Sequence, residues 1–524
     1  MKNQFVITPR VPASLPVSIA LIAAVFSIPV SRAATDGQWA TTAAGNWATG
    51  SNWVGTNIAS GSDATATFDT AITGTRVITV DSGRTIGHIV LDSPSFQWQF
   101  SGSALTLATT TGAPSIESKQ GTPYFAGVIA GTQGFTKLGA ARIYLAGNNT
   151  YSGITSLDAG SIYVRNSGGL GATGAGNDTI VTRTGSVTPV LHVLNNINTA
   201  EGITLRYTTS GLANTLVNDS DANTLSGSLK LERAGTGPTT DIYTFGVLAS
   251  AGTLTVSGPI SGSLGAGATS GNAGTNILQI NAASGSNVYV TNVISEGSLS
   301  SAGGLSLTKI SSGTLTLAGS NTYTGATTVS AGTLLINGDQ TLATGAVNVS
   351  SGATLGGSGT IGGTTTISSG GTLAPGNSPG VITFKSALTL AGATNMELNG
   401  TTLGTTYDGI NTGTGLLTYG GTLTLTFGSS FLTGGETFDL FTIGTGGSTG
   451  SFSSVSIAGS YVTGLTNTAG VWSGTVGSLN FAFTQATGEL LVTSAIPEPS
   501  TYAAIFGSLA LVGVVWKRRQ TGGK

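Results

Sequence analysis

Cysteine is absent from all 524 residues, which excludes a disulfide framework and any thiolate metal site. Charge is scarce as well: Asp, Glu, Lys and Arg make up 8% of the chain, against roughly 25% in an ordinary globular protein. There are two histidines, His88 and His192, 104 residues apart, so an imidazole-based metal or nucleophile site has no second ligand nearby. No G-x-S-x-G, Walker loop or HExxH string occurs. Seven of the 19 basic residues lie in the two ends, residues 1–33 and 496–524. Without residues 1–33 and 496–524 the body carries 12 basic and 20 acidic residues, a formal charge of −8. An acidic body with no basic stripe excludes nucleic acid as a partner, since that binding rests on neutralising phosphates.

What remains is Gly, Thr, Ser and short apolar residues. Gly numbers 82, more than twice the usual ~7% share, with no three-residue period. The 39% hydrophobic content is too high for a solvated disordered chain. This composition predicts an all-β body of short strands joined by tight turns.

The N-terminus reads as a secretory signal over residues 1–33. Lys2 and Arg10 precede the apolar run LPVSIALIAAVFSIPV (15–30), and Ser31 and Ala33 are the small residues before a cut between Ala33 and Ala34. Signal peptidase is the implied partner. Residues 34–120 then read as an N-terminal cap and first β coils. Trp39, Trp47 and Trp53 in this stretch fit either a cap anchor or a sugar-stacking platform.

An internal repeat lies in the solenoid region expected over 121–380. TKLGAARIYLAGNNTYSGITSLDAGSIYV (136–164) aligns without gaps on TKISSGTLTLAGSNTYTGATTVSAGTLLI (308–336) at an offset of 172. Lys137 matches Lys309, Asn149 matches Asn321, Tyr151 matches Tyr323 and Gly160 matches Gly332. Recurrence marks Lys137 and Lys309 as structural. Leu315, Leu317, Leu334 and Ile336 alternate with polar residues and predict inward-facing strand positions. Such a unit cannot bury its apolar face alone and must stack on neighbours. A second rhythm places Val349, Leu355, Ile361, Ile367 and Leu373 six residues apart, read as a local edge pattern within a larger solenoid.

Residues 307–338 resemble the autotransporter-associated β-strand repeat of bacterial surface proteins. Ser311 or Ser312 stands where that repeat commonly has Gly. The resemblance implies a right-handed parallel β-helix. GGTLAPGNSPGVITF (370–384) resembles the segment that commonly follows such repeats. Residues 381–495 show longer alternations and predict an antiparallel C-terminal β region, including a hairpin across Thr487 and Gly488. No region of ~10-residue amphipathic barrel strands follows the repeats, so the resemblance covers passenger repeats alone.

The tail, 496–524, is unlike the body. Pro497, Glu498 and Pro499 precede fifteen uncharged residues, 502–516, and then Lys517, Arg518 and Arg519. The apolar segment predicts a short hydrophobic helix, and cations beside it mark a cytoplasmic end. The three elements in order resemble the PEP-CTERM sorting signal of Gram-negative bacteria. That resemblance implies recognition of Pro497–Pro499 by an exosortase-like protease and a membrane stop at Lys517–Arg519. A permanent membrane anchor is the alternative.

No catalytic residue, cofactor or metal site is expected, and the chain reads as an exported, non-enzymatic surface or matrix protein with extracellular polysaccharide as a partner. A secreted β-helix polysaccharide lyase or glycosidase is the competing reading, which an acidic cleft would favour. Asp219 and Asp221 read as a solvated turn or a Ca²⁺ site. Lys230, Glu232 and Arg233 read as the outer face of a strand.

Overall fold

The structure, a computed structural model, describes residues 33–94, 96–184, 187–208, 214–234, 240–247, 252–265, 268, 275–302 and 304–495. The apolar part of the signal and the whole tail lie outside the described residues. Strands dominate. Among the described residues, helix is confined to three 3-10 segments at Gly50–Asn52, Val54–Thr56 and Gly297–Ala302. Among the described residues no helix is long and apolar enough to cross a membrane.

The strands stack as parallel ladders, one strand per face per coil. The first face runs from Gly37–Gln38 to Ile294–Ser295, and a short ladder from Asp339–Gln340 to Phe441–Thr442 takes the same place in chain order afterwards. The second runs from Gly45–Asn46 to Ser448–Gly450, and the third is parallel from Asn198–Thr199 to Ser454–Gly459. In-register pairing sets like residues above like. Leu254, Val288, Leu315, Leu334, Leu355 and Leu373 form one inward column, each with 0% exposure. Burying each such side chain contributes about 1.5–3 kcal/mol. Leu317 pairs with Ile336 in a second column, also buried.

The six-residue rhythm proves to be the coil itself and not an edge feature. Val349 pairs with Ile367, and Leu355 with Leu373. Successive members of the series therefore fall on successive faces, Val347–Val349, Ala353–Gly357 and Thr360–Ile361. Three such strands complete a coil between Val347 and Thr365, 18 residues on.

The two repeat copies occupy different faces. The first has strands Phe135–Leu138 and Arg142–Leu145 on faces one and two; the second has Leu305–Ile310 and Thr314–Leu317 on faces two and three. Each copy is thus one two-strand coil, whose third side is the AGNNTYSG or AGSNTYTG segment, followed by two strands of the next coil, Thr155–Leu157 and Ser161–Val164 or Thr327–Val329 and Gly332–Ile336.

Both ends are closed. Trp39, Trp47 and Trp53 are 0–2% exposed. The Trp47 and Trp53 indoles donate to the carbonyls of Ala59 and Trp47, and Trp39 and Trp47 each pack on Phe68. They are a cap core and offer no face to a sugar. At the other end the antiparallel region is shorter than 381–495. Thr422–Phe427 still pairs in parallel with Ala393–Leu398 and Ser454–Gly459. Antiparallel pairing starts where Ser454–Gly459 meets Thr463–Thr468 and continues through the hairpin of Leu479–Thr484 and Glu489–Ser494. Inward–outward alternation has period two in both kinds of pairing, so it could not locate this change.

Leu317→Asp places an unpaired charge in the column above Ile336. We expect a loss of about 4 kcal/mol or more, read as a large drop in the chain's melting temperature. An unchanged midpoint would contradict the inward assignment.

Candidate binding surface

The residues shared by the two repeats first suggest themselves as a site, and their geometry assigns them to the scaffold. Lys137 Nζ donates to the carbonyls of Leu138, Gly139 and Ala159, at 2.7, 2.9 and 3.2 Å. Lys309 Nζ repeats this with Ile310, Ser311 and Ala331, at 2.8, 2.6 and 3.2 Å. Each ammonium has three donors, and each clamps its own turn to the next coil. The turn residue is left-handed in both copies, Gly139 at φ 76° and Ser311 at φ 63°. The clamp holds Ser311 where only Gly adopts that conformation freely. Tyr151 and Tyr323 are buried, with their hydroxyls 2.8 and 2.7 Å from those of Thr155 and Thr327. Asn149 spans three coils, accepting from Ile129 N–H and donating to the Gly169 carbonyl.

The other charged candidates are also structural. Lys230 and Glu232 face outward, pairing with Asp178 and Arg206. Arg233 does not: it is 1% exposed and paired with Asp241 inside the coil. Strand parity explains the correction, since Glu232 and Arg233 are adjacent and must point to opposite faces. Asp219 lies 2.8 Å from His192, and Asp221 accepts from Asn195 N–H and the Ser220 hydroxyl. His88 lies 2.8 Å from Ser115. No group of three or more potential ligands for a metal occurs among the described residues. Ala33 and Ala34 are exposed, just ahead of the first bridge between Thr35 and Ser60. Pro497, Glu498, Pro499, Lys517, Arg518 and Arg519 lie outside the described residues.

A true concavity exists on the outer side of the third face. It is a groove of about 870 Å³, within the size range of ligand sites. Register makes it. Tyr289, Thr316, Leu335, Gly356 and Ala374 stand in one row on successive strands, and the floor sinks as the side chains shrink. The segment 376–380 arches over the deep end. Asp408, 1% exposed, ties it down: its two carboxylate oxygens accept from Gly380 N–H at 2.8 Å and Glu397 N–H at 2.7 Å. The Ser378 hydroxyl donates to Glu397. Burial pushes the Asp408 carboxyl up to about 6, against those two N–H groups. Both carboxylates are therefore engaged in holding the arch. This row leaves no periodic sign in the sequence, because coils of unequal length separate its members. Its one local sign was the APGNSPG string, 374–380.

The geometry of the repeats meets an independent observation here. Residues 135–164 and 307–336 match the family described as Passenger-associated-transport-repeat. The chain carries passenger-type repeats. In addition, 109 residues are 38% identical to the Adhesin BmaC autotransporter of Brucella suis biovar 1 (strain 1330). That stretch is 20% of this chain and 3% of the relative, so the likeness is to a small part of a much longer protein.

Burial lowers the proton affinity of both repeat lysines, to about 7 for Lys137, where nearby Glu117 acts in the opposite direction, and to about 8 for Lys309. Unfolded lysine titrates near 10.4, so between these values the unfolded chain binds more protons than the fold. Stability from these two sites therefore rises with pH from about 7 to 10. We expect the difference in melting temperature between the parent and a Lys137→Met, Lys309→Met variant to shift in the parent's favour over that range. A pH-independent difference would contradict the burial argument.

Proposed function

We propose that this chain is an exported bacterial protein with a structural and adhesive role at the cell surface or in an extracellular matrix. The observation that carries the reading is the pair of passenger-type repeats, each built as a coil clamped by a buried lysine. The adhesin likeness supports it. The body is a long solenoid whose outward strand positions are mostly Thr, Ser and Asn, a surface suited to extended contacts. Parallel connections favour right-handed winding, in agreement with the implied β-helix.

Export begins with a cut by signal peptidase between Ala33 and Ala34. The segment 502–516 then holds the precursor in the inner membrane, with Lys517, Arg518 and Arg519 on the cytoplasmic side. An exosortase-like protease acts near Pro497, Glu498 and Pro499 and frees the body, so membrane attachment is transient.

One observation favours the hydrolase alternative: two carboxylates, Glu397 and Asp408, line the groove. Glycoside hydrolysis needs one free acid and one free base or nucleophile, whereas both of these hold the arch. The adhesive reading is preferred.

In the native host, deletion of the gene should reduce cell attachment or matrix cohesion, and the full chain should restore it. Mass spectrometry of the mature protein should find Ala34 first and no Trp516, and Glu498→Ala should leave an uncut, membrane-bound precursor. Normal attachment without the protein would defeat the adhesive reading. A mature protein retaining Arg518 would make the tail a permanent anchor.

A further inference from the structure

The groove on the third face has a chemistry of its own. Its floor belongs to strands from Asn287–Val290 to Thr422–Phe427, seven in succession, which at a spacing of about 4.8 Å gives a length of roughly 29 Å. The strands of the floor are hydrogen-bonded on both sides, so no free edge is offered for a peptide to pair with. Most backbone groups there are used in the ladders, although the pairing of Thr372–Pro375 with Ala393–Leu398 stops at Leu373 and Thr394, and recognition falls mainly to side chains.

Those side chains are of three kinds. Asn287, Asn377 and Asn395 line the groove with amides that make no hydrogen bond to the described protein, and the hydroxyls of Thr333 and Thr354 are likewise unengaged. Each amide offers donors and an acceptor, and each hydroxyl offers both. Tyr289, 38% exposed, stands at the shallow end as an apolar platform with a polar tip. The ionisable groups in the lining are Glu397 and Asp408, together with the Tyr289 phenol; no Lys, Arg or His is among them. An anionic chain would meet carboxylates with no cation to offset them.

Unengaged amides and hydroxyls in rows, one aromatic platform and no cation match a ligand dense in neutral hydroxyl groups with apolar ring faces. We propose that this groove binds an uncharged linear glycan, lying across the strands with one sugar ring on Tyr289 and its hydroxyls on Asn287, Asn395 and the Thr rows. This names a ligand class for the adhesive reading and rests on it. The arch at 376–380, tied down by Asp408 and Glu397, bounds one end of the site and presents Asn377 to the same ligand. Its anchoring means the site is formed before the ligand arrives, which lowers the ordering cost of binding.

The test uses the full chain purified in detergent, with hexasaccharides as probes: cellohexaose, laminarihexaose, xylohexaose and hexa-N-acetylchitohexaose as uncharged arms, hexagalacturonate as the anionic arm, and an extended Ser/Thr-rich peptide as the third. Titration calorimetry should detect at least one uncharged probe, with no turnover into shorter sugars. Tyr289→Ala and Asn395→Ala should each weaken it at least tenfold without moving the melting temperature. Tyr144→Ala, on another face, should leave it unchanged. Binding of hexagalacturonate or the peptide in place of the neutral probes would overturn the proposal. So would no binding of any probe, or equal affinity in the Tyr289→Ala variant. Attachment by host cells separates the two readings. If Tyr289→Ala cells attach like the parent while deletion cells do not, the groove proposal fails and the adhesive reading stands. If deletion cells attach normally, the adhesive reading fails itself.

Discussion

The architecture follows from one constraint: a coil of 18 to 35 residues cannot bury its own apolar row and must lay it against the coil before and the coil after. Parallel in-register pairing is the arrangement that does so over any length. It brings Leu315 under Leu334, Leu334 under Leu355 and Leu355 under Leu373, so that the interior is filled by one kind of contact repeated. Nothing in this scheme needs cysteine or a metal, and the low charge content follows, because an inward charge would have no water and no partner.

Corners are where the constraint becomes strict. Adjacent coils approach so closely that a side chain at Gly332 would come 2.4 Å from the Ser311 carbonyl, at a position whose φ of +68° already disfavours any L residue. The carbonyls of these tight turns point inward and need donors. Lys137 and Lys309 supply them from inside the stack, three bonds each. The buried Arg233–Asp241 pair is one exception that the apolar interior tolerates, and an ammonium with its charge shared among three carbonyls is another. It is also why a lysine recurs in a chain otherwise so short of charge. The same logic covers Asn149, whose amide joins main chains that strand pairing leaves open.

Much of this was legible in the sequence. The gapless repeat located the lysine, the asparagine and the tyrosine, and alternation located Leu315, Leu317, Leu334 and Ile336, because stacking selects for local pattern. Three matters were not legible, for physical reasons. Parallel and antiparallel strands share a period of two, so the change of pairing after Ser454–Gly459 had no signature in hydrophobicity. Arg233 broke the rule that charges face water, since its partner Asp241 lies on the following strand and not beside it in the chain. The groove depended on residues as far apart as Tyr289 and Asp408, brought together by coils of different lengths. A row across a solenoid is visible in sequence only when the coil length is constant. Here it is constant enough over Val349 to Leu373 for a six-residue rhythm to appear, and not beyond.

The stacking register is the claim from which the rest descends, and the absence of native cysteine makes it directly measurable. Thr328 lies opposite Asn348 on the adjacent coil and Asn348 opposite Thr366 on the next. Adjacent strands are about 4.8 Å apart, inside the Cα range of a disulfide, and strands two coils apart are not. Under mild oxidation, the Thr328→Cys, Asn348→Cys variant should cross-link nearly completely within one chain, and the Thr328→Cys, Thr366→Cys variant should stay reduced. The reverse pattern, or equal cross-linking of both pairs, would contradict the stacked parallel solenoid.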